Sequence, residues 1–198
     1  MNAMTESGVT KHRLTVDDYY RMAEVGVLAP DARVELIDGE IVDMPPIGSP
    51  HSGTSMWLNR RFLPAVGDNA IIALQSTTLI LGRYNAPQPD LMLLRPRADC
   101  YRRSNPTAND VLLIVEVSEC TLPYDRKIKA PLYSRHGVPE MWIVNLRHRE
   151  LLCMRQPRLN DYAEVETIKA PGLVPIATLG EIRIDLTGLF DDSDQPAS

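Results

Sequence analysis

The stretch Val111-Leu-Leu-Ile-Val-Glu-Val-Ser118 decides how the rest of the chain is interpreted. It is almost wholly apolar and rich in β-branched residues, which predicts a strand buried at the centre of a sheet. Side chains alternate between the two faces of a strand, so Glu116 shares a face with Leu112 and Ile114. An acid is costly to bury without a partner. Glu116 is therefore expected to lie at a strand end near water, to meet a cation, or to bind a metal ion, and its position close to the sheet interior favours the last two.

A second acid stands at the start of another apolar stretch, where Pro89-Asp90 precedes Leu91-Met-Leu-Leu94. Proline suits the first residue of a strand because its missing N–H is not needed in the ladder there. Taken alone, Asp90 is better explained as a turn residue. Together with Glu116 it indicates a site for a hard cation such as Mg²⁺, which takes oxygen ligands from one or two carboxylates and keeps several waters.

Local signals predict the elements around these two strands. Thr15, followed by Asp17 and Asp18, is typical of a helix N-cap with acids in the first turn. Asp38-Gly39 predicts a tight hairpin turn, since that turn needs positive φ at both central residues. The predicted helices cover residues 15–29, 49–66 and 124–136, a hairpin covers 34–42, and strands cover 70–81, 90–94, 111–117, 141–144, 150–154 and 162–167.

Helices that precede a mixed sheet, a further helix and more strands predict an α/β or α+β sandwich. The helix over 49–66 would place its apolar positions at Met56, Leu58, Phe62 and Leu63, and Trp142 is assigned to the core. Because no repeat or low-complexity linker interrupts these elements, we expect a single domain over 14–190. A flexible leader over 1–13 and a disordered polar tail over 191–198 would flank it.

The composition of the 198 residues is that of an ordinary globular protein, with 44% hydrophobic and 24% charged residues. No apolar run approaches the ~20 residues that a membrane span needs, and the N-terminus has no signal-peptide pattern. The three cysteines are widely spaced and odd in number, which argues against a disulfide framework and a zinc knuckle. We therefore expect a cytoplasmic protein without membrane contact.

The net charge of -5 differs from that of most DNA-binding modules, which carry a basic footprint. An enzyme that gathers carboxylates around a metal ion can nevertheless be acidic overall and keep a basic rim. Two basic clusters would either form such a rim or be solvated surface: Arg95, Arg97, Arg102 and Arg103, and Arg126, Lys127, Lys129 and Arg135.

Pro89-Asp90, a gap, and Glu116-Val-Ser118 resemble the PD-(D/E)xK signature of restriction-endonuclease-like nucleases. An ordered series over roughly residues 15–190 resembles the Uma-type "putative restriction endonuclease" family more closely: Val34-Glu-Leu-Ile-Asp-Gly-Glu-Ile-Val42, His51, Pro89-Asp90, Val115-Glu-Val-Ser118, Asp125 to Lys129, Tyr133 and Gly137-Val-Pro-Glu-Met-Trp142. The resemblance implies a mixed central sheet flanked by helices, with Asp90 and Glu116 as metal ligands. It also suggests Glu35 as an additional acid at the site, although a solvated strand face would explain Glu35 equally well.

The signature's lysine, two residues after the glutamate, is replaced by Ser118. The resemblance implies that a lysine from the following helix takes its place, and Lys129 matches that position, with Lys127 as its competitor. Pro131 removes a hydrogen bond from that helix and clashes with the preceding turn, so a kink or a late start is expected. For two other residues we favour a structural role over a catalytic one. His51 would form hydrogen bonds at a helix terminus, and Tyr133 would pack in the core.

These observations predict metal-assisted phosphodiester hydrolysis, with DNA as the favoured nucleic-acid substrate. Asp90, Glu116 and the backbone carbonyl of Val117 would hold Mg²⁺, or Mn²⁺ in its place, and Lys129 would position water or offset developing charge. A homodimer is expected because cutting a duplex needs two sites and two-fold dimers are the commonest oligomers. The alternatives are a catalytically inactive nuclease-fold module that acts in nucleic-acid binding or assembly, and a hydrolase of another phosphoester.

Overall fold

The computed structural model of the chain describes residues 10–191. Most of the predicted leader and all but the first residue of the predicted tail lie outside this range. The chain divides into two compact units, one formed by the residues up to Pro46 together with Ile80–Pro87, the other by Ile47–Leu79 together with the residues from Gln88 onwards. The single domain expected over 14–190 stays a prediction. No helix among residues 10–191 is long and apolar enough to cross a membrane.

The smaller unit is organised by the capping and turn signals seen in the sequence. Helix α1, Val16–Glu24, begins with a capping box in which Thr15 and Asp18 satisfy each other's backbone N–H groups. It ends five residues before the predicted end. Strands β1, Val34–Ile37, and β2, Glu40–Asp43, form an antiparallel hairpin. Asp38 and Gly39 have φ of 51° and 80°, so both central turn residues adopt the positive φ that the sequence predicted.

The larger unit is built on a six-stranded mixed sheet. Its strands lie in chain order: β3 Ile71–Leu74, β4 Leu91–Leu94, β5 Val111–Ser118, β6 Glu140–Asn145, β7 Glu150–Pro157 and β8 Tyr162–Ile168. Only the β5–β6 pair is parallel. All eight residues of β5 are buried, which confirms the predicted central strand. The strand predicted over 70–81 is limited to β3, and a small hairpin of β9, Leu173–Pro175, and β10, Arg183–Asp185, was not predicted.

Helix α2, Ser49–Val66, covers one face of the sheet and has the predicted bounds. Leu58 and Phe62 are completely buried in the main core, together with Trp142. Met56 and Leu63 were also predicted to be buried apolar positions, and this was wrong: their exposed fractions are 67% and 61%. The surface of α2 that packs on the sheet is therefore narrower than the distribution of apolar residues along the helix indicates.

The opposite face of the sheet carries a continuous helical segment. It consists of α3, Leu122–Tyr124, a π-helical turn, Asp125–Lys129, and α4, Ala130–Arg135. The Ala130 N–H donates to the Asp125 carbonyl, five residues earlier, instead of four. A proline in a regular helix clashes with the carbonyl four residues before it, and the wider π turn accommodates Pro131 without a break. The sheet therefore has helices on both faces, as predicted.

Candidate functional site

Asp90 and Glu116 stand at the same level of two neighbouring strands. Leu91 of β4 is paired with Val115 of β5, and one further step along both strands brings Asp90 level with Glu116. Leu91 and Val115 belong to the main core, so the alternation along β5 directs Glu116 to the opposite face. Asp90 lies just before β4, where it contacts both α2 and the backbone of β5. That the two carboxyl groups share one cation stays a prediction.

Asp90 is held by donors from three separate parts of the larger unit. Its Oδ2 accepts a hydrogen bond from the Val117 backbone N–H at 2.7 Å and lies 3.1 Å from Nε2 of His51. Its Oδ1 accepts a hydrogen bond from the Gln75 amide at 3.0 Å. The residue is only 6% exposed. The backbone of β5 itself therefore fixes the orientation of this carboxyl group.

Glu116 is held by the helical segment on the opposite side of the site. Its Oε1 accepts hydrogen bonds from Nζ of Lys129 at 3.1 Å and from the hydroxyl of Tyr133 at 2.7 Å. Lys129 is buried, whereas Lys127 is exposed. The structure thus brings Lys129, and not Lys127, to the acid of the signature. In a regular helix Ile128 and Leu132 would form one apolar stripe on the sheet. Leu132 is buried, but Ile128 is 41% exposed.

Ser118, at the position of the signature's lysine, leads to a third buried acid. Its hydroxyl lies 3.4 Å from that of Thr121, which donates to Asp125 Oδ2 at 2.7 Å. Burial raises the pKa of the Asp125 carboxyl above its usual range, and the positive charge of Lys129 opposes that rise. The negative charge of Asp90 also raises this pKa. Asp125 therefore belongs to the same electrostatic cluster.

Three further residues contact the two acids, and the sequence analysis either did not identify them or gave them only a structural role. Gln75 carried no signal, because a lone glutamine beyond a short strand has no motif. His51 was interpreted as a helix-terminal residue; it lies in the first turn of α2, but its ring contacts Asp90. Tyr133 was interpreted as a packing residue; it is completely buried, and its hydroxyl also binds Glu116. The spacing of four residues between Lys129 and Tyr133 was the available signal, because such pairs share a helix face.

Glu35 lies on β1, in the smaller unit. Its exposed fraction is 2%, so the explanation that it belongs to a solvated strand face is wrong. A buried acid requires a structural or functional reason. Its participation in the site with Asp90 and Glu116 stays a prediction.

The donor set around Asp90 fits a hard divalent cation. Asp90 and Glu116 would supply carboxylate oxygens, and Mg²⁺ commonly binds through one or two carboxylates and several waters. The N–H and C=O of one strand residue point to the same edge, so the Val117 carbonyl is directed to the side on which its N–H reaches Asp90. Among residues 10–191, no group of three or more His, Cys, Asp and Glu side chains is arranged to hold a metal ion. A cation would therefore depend on these two acids, the carbonyl and water.

Comparisons with known proteins agree with this fold. A crystal structure described as "a putative nuclease belonging to DUF820", from Anabaena variabilis, superposes with a TM-score of 0.67 at 17% identity, covering 89% of this chain and 97% of that chain. At this identity the likeness shows the fold alone, and it confirms the predicted fold class. No curated protein matches the chain. The family model described as "Putative restriction endonuclease" matches residues 16–187, most of the length, and the chain therefore belongs to the Uma2 family.

Proposed function

We propose that this chain is a metal-dependent nuclease that hydrolyses phosphodiester bonds, with DNA as its substrate. The observation that carries the proposal is the burial of two acids on neighbouring strands, Asp90 just before β4 and Glu116 in β5, with Lys129 buried 3.1 Å from Glu116. Acids and lysines are rarely fully buried unless they are paired, and clusters of buried titratable groups are candidates for functional sites. Membership of the family supports a nuclease as the broad class.

Each residue of the cluster has a distinct part in the proposed reaction. Asp90, Glu116 and the Val117 carbonyl would hold Mg²⁺ or Mn²⁺, which supplies a Lewis acid and lowers the pKa of bound water. The ammonium group of Lys129 would orient the attacking water and offset the negative charge that develops on the phosphoryl oxygens. Tyr133 fixes the Glu116 carboxyl through its hydroxyl. These positions are preorganised, so little rearrangement is needed during the reaction.

A second function has its own support. Asp90 already accepts hydrogen bonds from Val117 and Gln75 and contacts His51, and Glu116 already has a lysine and a tyrosine as donors. A nuclease-fold module that binds nucleic acid without cutting it would be stable in this arrangement without a metal ion. Saturable Mg²⁺ binding that is lost in Asp90→Ala would contradict this alternative, because a purely structural site has no reason to bind the cation.

The test is a metal-dependent cleavage assay on a panel of single- and double-stranded DNA and RNA. We expect cleavage with Mg²⁺ or Mn²⁺, none with a chelator, and a loss of about a hundredfold or more in Asp90→Asn and Glu116→Gln. Asp68→Asn is the matched control, because Asp68 is an exposed acid of the same unit. Cleavage that survives both chelation and Asp90→Asn would contradict the proposal.

We also propose a two-fold homodimer for a duplex substrate, because two strands require two sites and closed dimers are the commonest assemblies. Light scattering at working concentration measures the mass directly. A monomeric mass under conditions in which the protein cuts duplex DNA would exclude the dimer without affecting the proposed chemistry.

A further inference from the structure

A cleft of about 200 Å³ opens beside Asp90. Its walls are the N-terminal half of α2 and the end of β3, and all its residues belong to the larger unit. Gln75 and Asp90 lie at one side, where the Gln75 amide donates to Asp90. We call it the Asp90 cleft. A group bound in it would be next to the carboxyl group that we assign to the reaction.

The Asp90 cleft has an unusual concentration of exposed apolar side chains. Ile47, Met56 and Leu74 line it, with exposed fractions of 38%, 67% and 42%. They are three of the ten large apolar residues that are exposed within the described part of the chain. Exposed apolar residues that cluster in a concave surface mark binding sites. A phosphate or a metal ion gains nothing from such walls, so the occupant has an apolar surface of its own.

Hydrogen-bonding groups in the same cleft indicate that the occupant also has a polar edge. The Gln75 amide nitrogen is used by Asp90, whereas its amide oxygen makes no hydrogen bond within residues 10–191. The Asn59 amide, on the α2 wall, likewise makes none within the described chain. Amide groups beside apolar walls suit a flat group that has apolar faces and a rim of donors and acceptors.

We propose that the Asp90 cleft receives one unpaired nucleobase next to the phosphodiester that is cut. This rests on the proposed function and specifies its substrate class: nucleic acid with an unpaired nucleotide at the cleavage position. A base has two apolar faces and a Watson–Crick edge of donors and acceptors, and stacking and pairing hide the faces and this edge inside a duplex. Only a single-stranded or extruded base can therefore contact Met56 and Leu74 with its face and the amides of Asn59 and Gln75 with its edge.

The first test is an abasic scan of a short single-stranded DNA oligonucleotide. A base is removed at one position at a time, and kcat/KM is measured with Mg²⁺. We expect removal at one or two positions beside the cut to lower kcat/KM about tenfold in the parent protein, which is the size expected for one stacked base. Met56→Ala should lower it by a similar factor on the intact strand and abolish the further effect of base removal. If the protein cuts the strand but kcat/KM is the same wherever the base is removed, the cleft proposal is overturned and the proposed function is not affected.

Leu74→Ala should reproduce the behaviour of Met56→Ala, since both side chains line the cleft and are too exposed to be needed for folding. Leu159→Ala is the matched control, because Leu159 is 78% exposed and does not line the cleft. If Met56→Ala and base removal together lower kcat/KM by the product of their separate factors, the two changes act at separate places. This result would overturn the proposal.

A binding experiment separates failure of the cleft from failure of the chemistry. The same oligonucleotide carries the fluorescent base 2-aminopurine, and Ca²⁺ replaces Mg²⁺. If the parent protein cuts nothing, the proposed function fails. A rise in fluorescence at one position, as the base leaves its stacked neighbours for the aliphatic walls of the cleft, lost in Met56→Ala and kept in Leu159→Ala, would then still support the cleft as a base site. Absence of such a rise at every position would overturn it.

Discussion

Asp90 and Glu116 stand at the same level of two neighbouring strands, but they are held in different ways. Asp90 is fixed by an uncharged backbone N–H from β5 and by residues from α2 and the end of β3. Glu116 depends on Lys129 and Tyr133, both from one helical segment that contains a π turn. The Asp90 half of the site is thus tied to the backbone of the sheet, whereas the Glu116 half includes a helical segment and a buried positive charge. Substitutions in the two halves should differ accordingly.

The largest expected effect on stability is in the Glu116 half. Lys129→Met leaves the Glu116 carboxyl buried without its cation, and breaking a buried ion pair by removing one partner costs about 3–5 kcal/mol. Urea denaturation measures the change in the free energy of unfolding. Lys127→Met, at an exposed neighbouring position, should change it by no more than about 0.5 kcal/mol. If the two variants were equally stable, Lys129 would not be the structural partner of Glu116.

The second expected effect is on turnover. If Lys129 stabilises charge in the transition state, Lys129→Ala should lower the single-turnover rate by about a hundredfold or more at saturating Mg²⁺, with metal affinity nearly intact. The variant is assayed where circular dichroism shows it to be folded, beside Lys129→Arg, which keeps the charge. Lys127→Ala should mainly weaken binding in a salt-dependent manner. A rate equal to the parent's in Lys129→Ala would show that the lysine assignment is wrong.

The sequence allowed the framework of this site to be predicted because its signals are local. Thr15 caps a helix, Asp38-Gly39 makes a turn, and the alternation along β5 places Glu116 on one face whatever its neighbours are. The residues that hold Asp90 could not be predicted in this way. Gln75 reaches Asp90 only because β3 pairs with β4 in one particular register, and register depends on contacts between distant parts of the chain.

The local sequence pattern also did not show which residues of the helical segment face the sheet. A regular 3.6-residue period would place Ile128 beside Leu132 on the buried face. The π turn contains about one extra residue, which changes the residues that face the sheet, so Ile128 is exposed while Lys129 and Ala130 are buried. Pro131 was the visible signal of an irregularity, but a kink and a widened turn both relieve its clash.

Two substitutions that each delete one hydrogen bond test whether Glu116 loses more stability than Asp90 does when one of its donors is removed. Tyr133→Phe keeps the ring packing and removes a hydrogen-bond donor to Glu116 Oε1, which should cost about 2 kcal/mol for a bond to a charged group. Gln75→Ala leaves Asp90 with Val117 and His51 and should cost about 1 kcal/mol or less. Thermal or urea unfolding compares them. Equal costs would mean that Asp90 depends on its side-chain partners as much as Glu116 does.

The smallest expected effect is a change in pH dependence within the Glu116 half. Burial raises the pKa of Asp125 above its ordinary value of 3.8, so the folded protein binds this proton more tightly than the unfolded chain does. The stability that the proton contributes is complete below about pH 4 and is lost as the pH rises through the folded-state pKa. Asp125→Asn removes the titration and keeps an oxygen that can accept from Thr121. The variant should therefore gain stability relative to the parent between pH 4 and pH 7.

Asp68→Asn is the control for this comparison, because Asp68 is an exposed acid of the same unit. Urea denaturation of the three proteins at several pH values gives the difference in unfolding free energy directly. A difference between Asp125→Asn and the parent that stays constant from pH 4 to pH 7 would mean that Asp125 titrates alike in the folded and unfolded states. The Asp125 carboxyl would then be solvated, and the electrostatic contrast between the Glu116 half and the Asp90 half would rest on Lys129 alone.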